Sequence, residues 1–378
     1  MSVHGLAAGQ RMAGVSKQMT RVMCVAAAGI VLISSGLAAT AAAGATRAGG
    51  SGPAGSRPVF GSLNSVAATS ATNAWAVGSA GADEDNAVIL HWNGKTWKRT
   101  PAPIPARLSR LTGVAATSAR SAWAVGEGLI LHWNGKAWKR TPAPRLSGGV
   151  SLSGVAATSA RSAWAVGSTN TSGGTASLVL HWNGRTWRRV ASPSPAPVTA
   201  LTGVAATSAR SAWAVGSADG NNSFKSLILR WNGRTWKRVP SPDAAPGPAA
   251  VAARSAGSAW AVGQADFGAV LILRWNGRTW KRVPSQNPAA GSFLAGVAAT
   301  SATNAWAAGS LDGGSGLILR WNGKTWKQEP GDIPGVLLGV AATSARNAWV
   351  VGHTQPGRNV YKIFIMHWNG TAWKNLTT

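Results

Sequence analysis

The chain predicts an all-β fold, a seven-bladed β-propeller with four antiparallel strands per blade in a single domain. Three observations carry this. All 21 tryptophans fall into three sets of seven. Trp75, Trp123, Trp164, Trp213, Trp260, Trp306 and Trp349 sit in Ala-Trp-Ala-Val-Gly-like segments; Trp92, Trp133, Trp182, Trp231, Trp275, Trp321 and Trp368 open Trp-Asn-Gly; Trp97, Trp138, Trp187, Trp236, Trp280, Trp326 and Trp373 follow five residues later. Successive copies of the first set are 48, 41, 49, 47, 46 and 43 residues apart, the period of a propeller blade. Every copy also places Asn-Gly between two β-prone runs, the strongest short-range hairpin signal.

The first element is an export signal over residues 1–45. Arg11, Lys17 and Arg21 give a basic start, Val22 to Leu37 is apolar apart from Ser34 and Ser35, and Ala39-Thr40-Ala41 and Ala43-Gly44-Ala45 offer cleavage patterns. An uncleaved membrane anchor is the competing reading of this stretch. Cys24, the only cysteine, lies inside the apolar run, so the exported domain is expected to hold no disulfide. Residues 46–60 read as a linker. The blades follow at about 61–104, 105–145, 146–193, 194–242, 243–286, 287–331 and 332–378.

Within the fourth unit, Leu201–Thr207 is the first strand and Ser208–Ser211 a turn. Ala212–Gly216 is the second strand, and a polar link then runs to Ser226. Leu227–Trp231 is the third strand, Asn232-Gly233 a type I′ turn, and Arg234–Val239 the fourth strand, ended by Pro240. In the second strand Trp213 and Val215 face one way, Ala212 and Ala214 the other. A blade lies between two neighbours, so a bulky face against a small face lets adjacent blades interlock. No 3.6-residue apolar stripe supports a helical alternative. Blade one begins with its inner strand and blade seven ends with its outer one. No strand is left to exchange at ring closure, unless Arg57–Phe60 adds one, and closure is expected to rest on side-chain packing between blades one and seven.

The units resemble a group of exported bacterial propellers whose repeats read Ser-x-x-Ala-Trp-Ala-Val-Gly and Leu-x-x-Trp-Asn-Gly-x-x-Trp, carried here by Arg210–Gly216 and Leu229–Trp236. The likeness spans seven repeats. More distantly it is similar to YVTN and Asp-box (sialidase-type) propellers, although Asn is followed immediately by Gly here, without the Asp-box spacer. The resemblance implies fold and export, and no activity.

Comparison of the repeats separates two ends of the disc. The links between strands one and two, and between strands three and four, are nearly constant and fall on one face. The links between strands two and three, and the joins between blades, vary and fall on the other; binding resides more often on such diverse loops over a rigid scaffold. Candidate binding residues there are Asp83, Glu84, Asp85, Asn170, Asp219, Asn221, Asn222, Asp266, Asp312 and Tyr361. Drift of unconstrained loops is the plain alternative.

Catalysis needs groups that break the repeat. His91, His132, His181 and His367 share one repeat position with Arg230, Arg274 and Arg320, which reads as a packing or surface slot rather than a general base. A sialidase-type site would need Tyr361 to meet Glu84, Glu127 or Glu329, which belong to different blades. No metal-ligand spacing occurs, and Asp83–Asp85 reads as a solvated loop rather than a cation site.

The formal net charge is +27, of which Arg11, Lys17 and Arg21 supply three and leave +24 on the exported chain. Eighteen of its 34 basic residues lie in the expected fourth strands, among them Lys98, Arg99, Lys139, Arg140, Arg188, Arg189, Lys237, Arg238, Lys281 and Arg282. This basic rim either protects outer strands from edge-to-edge pairing or binds an anionic polymer such as a cell-wall phosphopolymer or nucleic acid. The rim tryptophans flanked by these cations read as packing, with glycan stacking as the alternative. The sequence therefore predicts a secreted, monomeric, non-enzymatic scaffold, with no cofactor, that recognises a protein or surface glycan at the cell exterior through its variable face. Polyanion binding on the rim is the first alternative and a propeller hydrolase or lyase the second.

Overall fold

The computed structural model describes residues 60–81, 86–105, 110–220, 223–285, 290–357 and 360–377. The expected signal, the linker up to residue 59, Asp83, Glu84, Asp85, Asn221 and Asn222 lie outside the described residues. The described chain holds 28 strands, nearly all of them in antiparallel neighbours. Blade one shows the plan: β1 (Gly61–Ser70), β2 (Asn73–Ala80), β3 (Asn86–Trp92) and β4 (Trp97–Arg99) hydrogen-bond in that order. Five blades are separate four-stranded sheets. The third and fourth, spanning Val150–Val190 and Val198–Arg238, join into one eight-stranded sheet through a single parallel pair, Thr175 with Val198. The result is a seven-bladed β-propeller.

No blade has a core of its own. Trp213, Val215 and Ile228 of blade four pack against Ala259, Ala261, Leu271 and Leu273 of blade five, so the bulky face of one blade meets the small face of the next. Seven such clusters fill the seven interfaces. In each, the first-set tryptophan lies beside both other tryptophans of the following blade. Its ring centroid is 4.9–5.5 Å from the second-set ring. The third-set ring stands edge-on to it at 5.1–5.3 Å and 81–89°. These are favoured aromatic geometries. Blade seven meets blade one in the same way, through Trp349 with Trp92 and Trp97. Ring closure also adds an isolated pair between Phe60 and Lys362 and a 2.9 Å hydrogen bond between Ser62 Oγ and His353 Nδ1. Of the segment Arg57–Phe60, only Phe60 is described, and it contributes that one pairing. The last residue of the expected linker is therefore part of the seam.

Glycine ends the second-strand motif because the inner strand presses on it. A Cβ on Gly216 would collide with the Ala200 carbonyl oxygen, and equivalent collisions recur at the other six positions, as at Gly78 and Gly352. Beside this contact each inner strand carries a register shift, at Leu63/Ser65 in blade one and Leu201/Gly203 in blade four, that sends one residue toward the axis.

Two local expectations are corrected. The Asn-Gly segments are not two-residue type I′ turns. Strands three and four close with the tryptophans paired, Trp92 with Trp97, so the loop has four residues. Only its glycine takes positive φ, +91 to +103°. The asparagine works through its side chain, whose Oδ1 accepts backbone N–H groups two and three residues on at 2.9–3.0 Å. Fourth strands are consequently short, Trp236–Arg238 in blade four. Second, the links Ser168–Ser177 and Ser217–Ser226 are continued ladders, paired as far as Thr171/Gly174 and Gly220/Ser223.

Replacing Trp349 by Ala is expected to cost about 3–5 kcal/mol, the same as Trp213→Ala, because the closing interface uses the same packing as an internal one. Urea unfolding of the two variants checks this. A much smaller loss for Trp349→Ala would mean that something other than the tryptophan contact closes the ring.

Candidate functional site

The inner strands surround an axial cavity of about 220 Å³ lined by residues of all seven blades. Its symmetry is broken at the residues displaced by the register shifts. Asn64, Thr112, Ser153 and Thr202 are polar, whereas Ala249, Ala295 and Leu338 are not. The polar groups reach to the next inner strand. Asn64 Nδ2 donates to Leu111 O at 2.8 Å, Thr112 Oγ1 to Leu152 O at 2.6 Å, and Thr202 Oγ1 to Pro248 O at 3.3 Å. No carboxylate lines this cavity.

At the closing seam the variable end of the channel is marked by a connected set. Arg110 Nη2 donates to Asn64 Oδ1 at 3.1 Å, Ser62 and His353 are hydrogen-bonded, and Tyr361 stands edge-on to His353 at 4.8 Å. Burial, with the Arg110 guanidinium as a second cause, pushes His353 down to about 4. Ser62 is only 3% exposed, which leaves no approach for a substrate to its hydroxyl; the pair acts as a latch between blades one and seven.

The shared His/Arg position is a packing slot. His91, His132, His181 and His367 lie over their own blade's first-set indole at 3.9–4.2 Å. Arg230, Arg274 and Arg320 lie over it at 4.7–5.2 Å and also over the second-set indole of the next blade at 5.3–5.5 Å. Burial lowers the pKa of all four histidines.

Most of the tryptophans are removed from glycan stacking, with Trp133, Trp182, Trp231 and Trp373 half-buried. All of the first set, and the third set except the half-buried Trp373, are buried. Second-set indoles each donate to a carbonyl of the strand one–two link at 2.9–3.2 Å. An open groove of about 420 Å³ between blades six and seven, lined by Arg320, Trp321, Lys327, Glu329 and Ala345, marks the one blade whose outer strand reads Lys-Gln-Glu. Burial raises the Glu329 pKa against the opposing charge of Arg320.

The described loop-face candidates do not converge. Asn170 is exposed on the extended hairpin of blade three, paired with Thr175. Asp219 lies in a cross-strand row between Val198 and Phe224. Asp266 opens an exposed 3-10 turn in blade five and Asp312 an exposed link in blade six. Tyr361 is the candidate that joins a cluster, at the seam. Sequence reasoning missed what surrounds them. Among the described residues the exposed large hydrophobics are Phe60, Val198, Phe224, Phe267 and Val360, and all five lie at the variable end. Phe267 is 93% exposed at φ 60°, a left-handed conformation that is unusual for a bulky residue. The basic rim residues Lys98, Arg99, Lys139, Arg140, Arg188, Arg189, Lys237, Arg238, Lys281 and Arg282 are all exposed on outer strands. Among the described residues no three His, Cys, Asp or Glu are grouped to hold a metal, and no helix is long and apolar enough to cross a membrane.

No family model and no curated protein matches the chain. Solved structures do. A structure of YCF48 bound to D1 peptide is similar at 18% identity and TM-score 0.56, over 82% of this chain and 92% of that one. The WD40 β-propeller domain of Doa1 is similar at 12% identity and TM-score 0.55, over 81% and 94%. The GH74 xyloglucanase from Xanthomonas campestris is similar at 14% identity and TM-score 0.57, over 83% of this chain and 53% of that one. At these identities the likeness shows the propeller fold.

His353 predicts a pH dependence. Unfolded, it takes up a proton near 6.5; folded, only near 4. Its contribution is therefore complete above pH 6.5 and is lost as pH falls from 6.5 to 4, on the order of 2–3 kcal/mol. Urea midpoints at pH 7.5 and 4.5 should drop less for His353→Gln than for the parent chain. An identical drop would remove His353 from the account.

Proposed function

We propose that the protein is an exported, non-enzymatic scaffold that binds a protein partner through the variable face. The observation that carries this is the collection of all the exposed large hydrophobics at that end, on a disc whose other described surfaces carry none. Exposed apolar groups set among polar ones mark interaction surfaces. Phe267, held out on a 3-10 turn, and the row Val198–Asp219–Phe224 supply anchors of the kind that dominate protein interfaces. The ladders that replace flexible links lower the entropy lost on binding. The peptide seen on the similar propeller YCF48 supports the reading by analogy of fold. The hydrolase alternative finds less support, since the described carboxylates are dispersed among blades.

Selection of a random peptide library on the full chain tests this. Enriched peptides are expected to lose roughly tenfold or more in affinity for Phe267→Ser or Phe224→Ser. Enrichment of no sequence, or undiminished binding to both variants, would overturn the assignment.

A further inference from the structure

The charge of the molecule is divided between its two ends. Every described acidic residue except Glu329 lies toward the variable end. Glu127, Asp219, Asp266 and Asp312 are in or beside strand two–three links, Asp243 and Asp332 are in blade joins, and Glu329 follows the outer strand of blade six, where it lines a groove with Asn322 and Ala345 of the constant-face loops. Asp83, Glu84 and Asp85 belong by sequence to the same kind of link. Among the described residues the strand one–two turns and Asn-Gly loops of the constant face carry no acid and many cations. Arg120, Arg161, Arg210 and Arg346 occupy strand one–two turns, and Lys95, Lys136, Arg185, Arg234, Arg278 and Lys324 occupy the Asn-Gly loops; all are exposed. The six loop cations precede the outer strands and stand on the face.

Protection of sheet edges does not account for this pattern. It explains charge on outer strands, where either sign would serve, and the turn and loop residues are not on an edge. Like charge held on one surface also costs self-repulsion. Blades two to four concentrate it. The stems of Arg120, Arg161 and Arg210 lie against Gly135, Gly184 and Gly233 of their own blade's Asn-Gly loop. That places each arginine beside Lys136, Arg185 or Arg234, the residue next in the loop. Arg188, Arg189, Lys237 and Arg238 continue the field onto the outer strands of blades three and four.

We propose that the constant face, centred on blades two to four, is a docking surface for a flexible linear phosphodiester polymer of the polyol-phosphate type, read by charge alone. The cations follow an arc on a unit whose radius of gyration is roughly 20 Å for its length. A duplex, stiff over about 500 Å, cannot follow that arc, whereas a polyol-phosphate chain can. The first- and third-set indoles of blades two to four are buried, and the half-buried Trp133, Trp182 and Trp231 are each tied by their N–H to a turn carbonyl; the oligothymidylate comparator below tests whether bases stack on them. The site is independent of the apolar variable face.

The test is binding of the full chain to fluorescent poly(glycerol phosphate) across 50–500 mM salt, with neutral dextran and a charge-matched oligothymidylate as comparators. The parent chain is expected to bind the polymer and not dextran, with affinity falling steeply as salt rises. The triple variant Arg120→Gln/Arg161→Gln/Arg210→Gln should lower the slope of log K against log salt by about two, and the corresponding Arg→Lys variant should keep it. If the Gln variant fails to fold, Lys136→Gln/Arg185→Gln/Arg234→Gln reports on the same arc. No binding at 50 mM salt, a slope unmoved by the folded face variants, or tighter binding of the oligothymidylate would overturn the proposal.

Discussion

The fold depends on one contact repeated around a circle, the first-set tryptophan inserted between the two tryptophans of the next blade. Since each blade's interior is its boundary with a neighbour, the sheet needs both of its faces covered, and only a closed ring satisfies all seven. The rest of the motif follows. Small Ala residues stand opposite the indole, because two bulky faces cannot interlock at native density. Gly ends the second strand where the inner strand crowds it, and the second-set indole N–H is tied to the adjacent turn. The first- and third-set indoles, Trp260 excepted, have no oxygen or nitrogen acceptor, and the edge-to-face geometry leaves aromatic faces as their neighbours. Closure of a ring without strand exchange is then possible, since Trp349 meets Trp92 and Trp97 as any other first-set residue meets its pair.

That constraint explains why the sequence was so readable in one dimension and so poor in another. Period-two alternation in Trp213-Ala214-Val215 is a local signal of which side meets which neighbour, and it carried the blade architecture directly. The Asn-Gly pair was read correctly as a turn but wrongly as to type, because Asn supplies a side-chain acceptor as well as tolerance of positive φ, and here only the first property is used. Ser168–Ser177 looked like a loop because its residues are polar. A ladder of polar residues at the variable end, tied to the next blade by the backbone pair Thr175–Val198, needs no apolar pattern, so its strand character is invisible to one. The Ser62–His353 contact joins residues 291 apart and exists only once the ring is closed.

The same demand sorts functional chemistry. Residues between blades are fixed by packing, and His and Arg exchange at one slot because each lies over an indole. Variation is confined to the ends of the strands, where side chains leave the interface. The two ends then differ in kind. At the variable end, blades differ from one another and apolar groups emerge, which suits a partner with a shape of its own. At the constant end, the loops repeat, and a repeated surface suits a repeated ligand.

This contrast bears on how the positive charge should be understood. A protein that needed only solubility could mix signs over its surface, and the acids at the variable end show that nothing in the fold excludes them. Their absence from the described turns of the constant face therefore has to be explained at that face. Packing does not explain it, because the arginine stems rest on glycine and their charged ends are exposed. Edge protection does not reach the turns. The proposed ligand of regularly spaced negative charge would give a physical reason for placing cations side by side in adjacent blades, where each raises the cost of the next until a counter-charge arrives.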